Sequence, residues 1–84
     1  MGSRHRRTLA RMRRRPTPAG IRWMDILSML TAAGVEVSER AGSRVLLKKR
    51  GERIVIHRPH PTPETGQATV RAIVAFLGTT GVKP

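Results

Sequence analysis

The segment His57-Arg58-Pro59-His60-Pro61 places two imidazoles and a guanidinium directly after an apolar run, residues 53–56, in a chain of formal net charge +12. Imidazole has an unperturbed pKa near neutral pH, so a histidine pair can supply both the general base and the general acid for internal transesterification of RNA. That chemistry needs no metal. Prolines also commonly end strands, and histidines beside them are often only solvent-exposed. The segment therefore has two interpretations: a catalytic site, or simply the solvent-exposed end of a strand.

The charge balance is typical of a protein that binds polyanions. Seventeen Lys and Arg residues stand against five Asp and Glu residues, and fourteen of the seventeen are arginine, which favours bidentate phosphate contacts. Basic charge alone does not distinguish RNA, DNA, an anionic membrane or an acidic protein as the partner. The two aromatic residues, Trp23 and Phe76, fall within helical patterns, which disfavours base stacking on an aromatic platform.

Size and cysteine content exclude several classes of protein. A chain of 84 residues is expected to form one small domain with little room for an enclosed cofactor cavity. The lack of cysteine excludes disulfides, thiolate zinc sites and cysteine nucleophiles, and it favours a cytoplasmic protein. No apolar run is long enough for a transmembrane helix or a secretory signal. We expect no cofactor and no metal, because two histidines without a nearby carboxylate pair make a weak metal site.

The first 20 residues are predicted to form a basic, flexible arm, separate from a domain over residues 21–84. Residues 1–22 contain eight arginines and no acid. Such a segment repels itself and buries too little apolar surface to fold alone. We expect the arm, including His5, to be mobile and to contribute to RNA affinity more than to the fold, with residues 8–12 able to form one helical turn against phosphate or a partner.

Two predicted helices, over residues 22–33 and 67–77, flank three predicted strands, over residues 35–39, 43–49 and 52–57. Each helix has apolar residues at i, i+3, i+4 and i+7: Trp23, Ile26, Leu27 and Leu30 in the first, and Val70, Ile73, Val74 and Leu77 in the second. The last two strands are joined by a hairpin turn at residues 49–52. The order α-β-β-β-α predicts a two-layer α+β domain, with a three-stranded antiparallel sheet and both helices on one face. The other sheet face is left for a ligand.

The order and spacing of four segments resemble the HicA family of toxin proteins. The segments are residues 21–23, Gly42-Ser43-Arg44, residues 57–61, and the final helix with Gly81 after it. The resemblance covers residues 21–83. It implies a double-stranded-RNA-binding-like fold, activity as an mRNA interferase, and neutralisation by a cognate HicB antitoxin.

The chain departs from the family pattern at the histidine held to be catalytic, which follows the glycine and serine within two positions. Those positions are Arg44 and Val45. Valine transfers no proton, and arginine stays protonated, so Arg44 can stabilise charge on phosphate but is a poor base. Proton transfer is therefore expected from His57 and His60, in unassigned order, with Arg44 and Arg58 stabilising the developing charge.

A basic cluster around the predicted hairpin is expected to bind RNA phosphates, because few acids offset it. With the adjacent serine, the predicted RNA-binding residues are Ser43, Arg44, Lys48, Lys49, Arg50, Arg53 and Arg58. Gly42 and Ser43 either hold a phosphate through their backbone N–H groups or simply form a turn.

Three functions fit these features. The leading hypothesis is a HicA-type toxin that binds mRNA and cleaves it as a metal-independent endoribonuclease. An alternative is a non-catalytic RNA-binding module of the same fold, which Val45 favours. A DNA-binding regulator that uses the basic arm is less favoured, because neither predicted helix carries a basic recognition face.

Overall fold

The computed structural model describes residues 1–59 and 62–81. Its helices are α1 (Ser3–Met12), α2 (Trp23–Ala32) and α3 (Gln67–Thr79). Its strands are β1 (Ile21–Arg22), β2 (Glu36–Arg40), β3 (Arg44–Lys49), β4 (Glu52–His57) and β5 (Glu64–Thr65). Strands β2, β3 and β4 form an antiparallel sheet in that order, and β1 pairs antiparallel with β5. Within the described ranges, no helix is long and apolar enough to cross a membrane.

The predicted α+β architecture is confirmed. The three-stranded sheet is antiparallel, α2 contacts β2, and α3 contacts β4. On the predicted helix faces, most residues are buried and Leu27 and Val74 are partly buried. The buried ones are Trp23, Ile26 and Leu30 on α2 and Val70, Ile73 and Leu77 on α3. Strand β4 begins and ends where the apolar run predicts it, and α2 starts and ends one residue inside its predicted limits.

The sheet has one face against the helices and one face in solvent. Side chains alternate along a strand, and directly paired residues of neighbouring strands lie on the same face. The face against the helices carries five apolar side chains: Val37, Val45, Leu47, Ile54 and Ile56. Val45 and Leu47 in the central strand are fully buried. Burial of this face fixes the register, because a shift of one residue would expose every apolar side chain on it.

Tight turns join the three strands. Between β3 and β4, Arg50 and Gly51 have φ of 51° and 81°, as a two-residue hairpin turn of type I′ requires. Between β2 and β3, a 3₁₀ turn at Ala41–Ser43 contains Gly42 at φ 72° and Ser43 at φ 62°. The turn interpretation of Gly42 and Ser43 is thus supported by their left-handed backbone, a conformation that serine adopts at a cost.

Residues 3–12 form a helix that packs on the domain, which corrects the expectation of a mobile arm there. Leu9 and Met12 are 0% and 2% exposed, and they belong to the same apolar core as α2 and α3. His5 of α1 shares a hydrogen bond of 2.8 Å with Ser28 of α2. The arginines repel one another, but Leu9 and Met12 lie one turn apart on a single face, so the rest of the domain can bury both.

The start of α2 and the start of α3 are joined through the two-residue strands. Ile21 pairs with Thr65, and the Trp23 amide donates to the Pro63 carbonyl at 2.9 Å. The loop after α1 is bonded to the start of α3, because the Gln67 side-chain amide donates to the Thr17 carbonyl at 2.7 Å. These contacts fix the starts of both helices and the loop after α1 to one another.

Candidate nucleic-acid interface

The solvent face of the sheet, called the open face below, consists of three rows of paired residues. The rows are Arg40, Arg44 and His57; Ser38, Leu46 and Val55; and Glu36, Lys48 and Arg53. Adjacent rows are about 7 Å apart along the strands, and the outer rows about 13 Å apart, as two and four residues of extended chain require. The open face thus has four permanent cations and one carboxylate.

The first row places His57 beside arginine side chains. His57 on β4 pairs directly with Arg44 on β3, and Arg44 pairs with Arg40 on β2. Paired Cα atoms of antiparallel strands lie about 5 Å apart, so the imidazole and both guanidiniums rise from one edge of the open face. All three residues are exposed. A titratable base and two fixed cations therefore face solvent side by side.

The turn at Ala41–Ser43 fixes this row. The Arg44 Nε donates to the Ala41 carbonyl at 3.0 Å, and the Arg58 amide donates to the Ser43 carbonyl at 2.8 Å. The first bond holds the stem of the Arg44 guanidinium over the turn while leaving its two terminal nitrogens available. The second continues the β3–β4 pairing one residue beyond His57. Both bonds reduce the freedom of the row before any ligand binds.

The middle row supplies an apolar strip between the two basic rows. Val55 is 57% exposed, whereas Leu46 is only 8% exposed although it does not belong to the apolar core. Leu46 lies at the centre of the open face, between the two basic rows, where the stems of long side chains can cover apolar surface while their charged ends reach water. A ligand with both charged and apolar parts suits this pattern.

The third row, Glu36, Lys48 and Arg53, forms the other edge of the open face. Lys48 lies between a carboxylate on one neighbouring strand and a guanidinium on the other. Opposite charges at paired positions stabilise a sheet modestly. The row retains one positive charge in excess, so it can still contribute a phosphate contact.

The remaining predicted phosphate-binding residues do not lie on the open face. Arg58 forms an ion pair of 3.2 Å with Glu39, on the other side of the sheet from His57. The Lys49 ammonium donates to the Ala33 carbonyl at the end of α2. The Arg50 guanidinium lies by the turn after α3, where a Cβ on Gly81 would be 3.4 Å from its Nη1. Cations near helix C-termini are stabilising, so Lys49 and Arg50 have structural roles there.

The sequence-predicted residues therefore divide between surfaces. Arg44, Lys48, Arg53 and His57 lie together on the open face, with Ser43 in the turn beside them. His60 and Pro61 lie outside the described residues, so the position of the second predicted histidine remains a prediction. Arg40 was not predicted as a site residue, because the first strand was expected to end at residue 39. Its pairing with Arg44 places it on the open face.

The chemistry available at the open face is acid–base and electrostatic. Among the described residues, no group of three or more His, Asp or Glu side chains lies close enough to hold a metal ion. Val45 is fully buried in the core, so of the two positions where the family carries its histidine, only Arg44 reaches solvent. His57 is the side chain paired with that position.

These features define a class: a small α+β domain whose antiparallel sheet has helices on one face and a basic, exposed surface on the other. A family model described as the HicA toxin of bacterial toxin-antitoxin systems matches residues 23–82, and the chain belongs to this family. HicA toxins of these systems generally pair with an antitoxin. Comparisons with curated proteins and with solved structures gave no match.

Proposed function

We propose that this HicA-family toxin binds mRNA on the open face and cleaves it as a metal-independent endoribonuclease. The observation that carries the proposal is the direct pairing of His57 with Arg44 on an exposed, basic sheet face. The resemblance implies a catalytic histidine at position 44 or 45, of which Arg44 is exposed and Val45 is buried. His57 on the neighbouring strand is paired with Arg44. In this proposal the proton-transfer group lies on β4 instead of β3, at the same edge of the open face.

The proposed reaction is internal transesterification of the RNA backbone. One histidine removes the proton of a ribose 2′-hydroxyl, the 2′-oxygen attacks phosphorus, and the other histidine protonates the departing 5′-oxygen. The products are a 2′,3′-cyclic phosphate and a 5′-hydroxyl end. We assign His57 and His60 to the two proton transfers in unassigned order. The Arg44 guanidinium stabilises the additional charge on the phosphate in the transition state, and Arg40 lies in position to assist.

RNA binding is assigned to the rest of the open face. Lys48 and Arg53 contact phosphates about 13 Å from the His57 row, and the strip of Leu46 and Val55 contacts riboses or bases between them. Arg58 is engaged by Glu39, so it takes no part in the reaction proposed here. A cytoplasmic HicB-type antitoxin is the expected partner that neutralises the activity.

The second candidate function is RNA binding without cleavage. Val45 favours this alternative, because valine transfers no proton and the open face keeps its charge whether or not protons are transferred. The two functions share a binding surface and differ in the need for His57. A cleavage assay separates them.

The decisive experiment incubates the purified protein with a long RNA in excess chelator and compares His57→Gln, His60→Gln and His5→Gln. His5 is a matched control because it lies on α1 and bonds to Ser28, away from the open face. We expect wild type and His5→Gln to cleave, and His57→Gln to cleave about 100-fold or more slowly, the usual contribution of general acid–base catalysis. RNA affinity should change little.

Cleavage at the wild-type rate by both His57→Gln and His60→Gln would exclude the proposed site. A wild-type protein that binds RNA but cleaves none would select the binding-module function instead. Cleavage that stops only in chelator would contradict the metal-independent mechanism.

A further inference from the structure

A second arginine-lined surface lies on the helical side of the molecule. The end of α1, the loop after it and α3 form a groove with a volume of about 440 Å³. Four arginines line it: Arg13, Arg14, Arg15 and Arg71. The other lining residues are Met12, Thr17, Val74 and Ala75. No strand contributes to it. The α1–α3 groove is therefore separate from the open face, whose side chains point away from the helices.

The groove is held in shape by contacts beneath it. Thr17 is 7% exposed, and its carbonyl accepts the 2.7 Å hydrogen bond from the Gln67 side chain. Gln67 and Arg71 are four residues apart on α3, so they lie on one helical face. Met12, which is buried, anchors the α1 side. A loop with three successive arginines is thus fixed against α3 rather than extending into solvent.

The groove has no acidic side chain to balance it. The five acids of the chain are Asp25, Glu36, Glu39, Glu52 and Glu64, and none lines the groove. The ion pairs of Arg4 with Asp25 and of Arg58 with Glu39 lie outside the groove. Arg15 and Arg71 therefore have no carboxylate partner within residues 1–59 and 62–81, and an anion would reduce their mutual repulsion.

The chemistry of the groove favours phosphate over an acidic protein. Guanidinium groups match phosphate oxygens with two parallel hydrogen bonds. Arginine is also common at protein interfaces, but it is accompanied there by aromatic anchors that fill pockets on the partner. The large apolar side chains exposed in the described part of the chain are Met1, Met24 and Val55, and none of them lines the groove.

We propose that the α1–α3 groove binds the phosphodiester backbone of a nucleic acid, as a site additional to the open face. The occupant is RNA, which the open face also binds in the proposed function, and duplex DNA is the comparison ligand. One nucleic-acid segment bound in the groove and another bound on the open face give the protein two separate contacts with nucleic acid. Binding at the groove requires neither His57 nor cleavage.

The test measures the salt dependence of affinity, using fluorescein-labelled single-stranded RNA and duplex DNA of equal length. The variant Arg15→Gln/Arg71→Gln removes two groove charges, and Arg7→Gln/Arg22→Gln removes two exposed charges outside the groove. We expect the groove variant to lower the log–log salt slope by about 1.4 for RNA or about 1.8 for duplex DNA, since each lost phosphate contact removes about 0.7 or 0.9. The control should keep a slope near that of wild type.

A second matched pair adds charge instead of removing it. Ala75 lines the groove, whereas Ala72 is an exposed alanine on α3 outside it. Ala75→Glu should weaken binding at low salt more than Ala72→Glu does, because the new carboxylate faces the bound phosphates. Both variants should keep the thermal transition of wild type, because both positions are exposed.

Several outcomes would decide the matter. A slope that falls for RNA supports the proposal, and a slope that falls for duplex DNA alone overturns it in favour of DNA binding. Equal loss in the groove and control variants would indicate diffuse attraction and overturn the proposal. A groove variant that keeps both nucleic-acid slopes but loses binding to polyglutamate would also overturn it, in favour of an acidic protein. Cleavage assays on the same variants test the open face independently, since a protein without cleavage can still show the slope change.

Discussion

Lys48 and Lys49 are adjacent lysines whose roles differ because side chains alternate along β3. Lys48 lies on the open face between Glu36 and Arg53, whereas Lys49 turns towards the helices and donates to the Ala33 carbonyl. The same residue type thus faces solvent at one position, where we propose that it binds RNA, and bonds to the end of a helix at the next. Composition predicts a basic cluster here, but it does not divide the cluster between faces.

The first prediction separates these two roles. Lys48→Gln should lower the log–log salt slope of single-strand RNA binding by about 0.7 and leave thermal stability unchanged. Lys49→Gln should leave the slope nearly unchanged and lower the free energy of unfolding by about 1 kcal/mol, because the α2 terminus loses a charge-assisted hydrogen bond. Anisotropy titrations and thermal melts measure both quantities. The reverse pattern would show that the register of β3 is misassigned.

Gly34 ends α2 for a reason that the structure makes specific. Its amide donates to the Thr31 carbonyl at 3.1 Å, and the Val35 amide donates to the Leu30 carbonyl at 2.9 Å, the two bonds of a Schellman motif. Gly34 has φ of 84°, and a Cβ there would lie 3.1 Å from the Lys49 Nζ. A side chain would therefore meet both backbone strain and a tethered ammonium.

The second prediction compares two glycine substitutions. Gly34→Ala should lower the free energy of unfolding by about 1–2 kcal/mol, the cost of a left-handed residue with a Cβ. Gly78→Ala, within α3 and with nothing within 4 Å of its Cβ, should raise it by up to about 1 kcal/mol. Denaturant unfolding measures both. Equal effects of the two substitutions would contradict the assigned conformations.

At the scale of elements, the amphipathic helices and the β3–β4 hairpin are predictable because their signals are local. Apolar spacing of i, i+3, i+4 and i+7 marks α2 and α3, and Arg50-Gly51 marks the turn. Helix α1 is not predictable in this way. Its apolar content is small, and its burial depends on α2 and α3, which no local pattern in residues 1–20 reveals. Strands β1 and β5 are two residues each and carry no periodicity.

The third prediction follows from the packing of α1. Leu9→Ala should lower the free energy of unfolding by about 2–5 kcal/mol, as expected for truncating a fully buried leucine. Arg7→Ala on the exposed side of α1 should change it by less than about 0.5 kcal/mol. Deletion of residues 1–20 should likewise destabilise the domain and not only reduce RNA affinity. A truncated protein with the wild-type melting transition would show that α1 is dispensable for the fold.

At the scale of the whole molecule, which has a net charge of +12, two separate surfaces each concentrate positive charge. The open face carries Arg40, Arg44, Lys48 and Arg53 in fixed rows, and the α1–α3 groove carries a second set of arginines from α1, its loop and α3. Charge content predicts a polyanion partner from sequence alone, whereas the existence of two surfaces requires the tertiary structure. The pairing of His57 with Arg44 also requires it, since thirteen positions separate them in sequence.

In the proposed mechanism His57 transfers a proton during RNA cleavage at the open face, and chemical rescue distinguishes this role from a structural one. His57→Ala leaves a gap beside Arg44 that imidazole from solution can occupy, because His57 is exposed. We expect His57→Ala to cleave RNA about 100-fold or more slowly than wild type and to regain activity as imidazole is added. Arg44→Ala should lose activity without rescue by imidazole. Cleavage by His57→Ala at the wild-type rate without imidazole would contradict the claim.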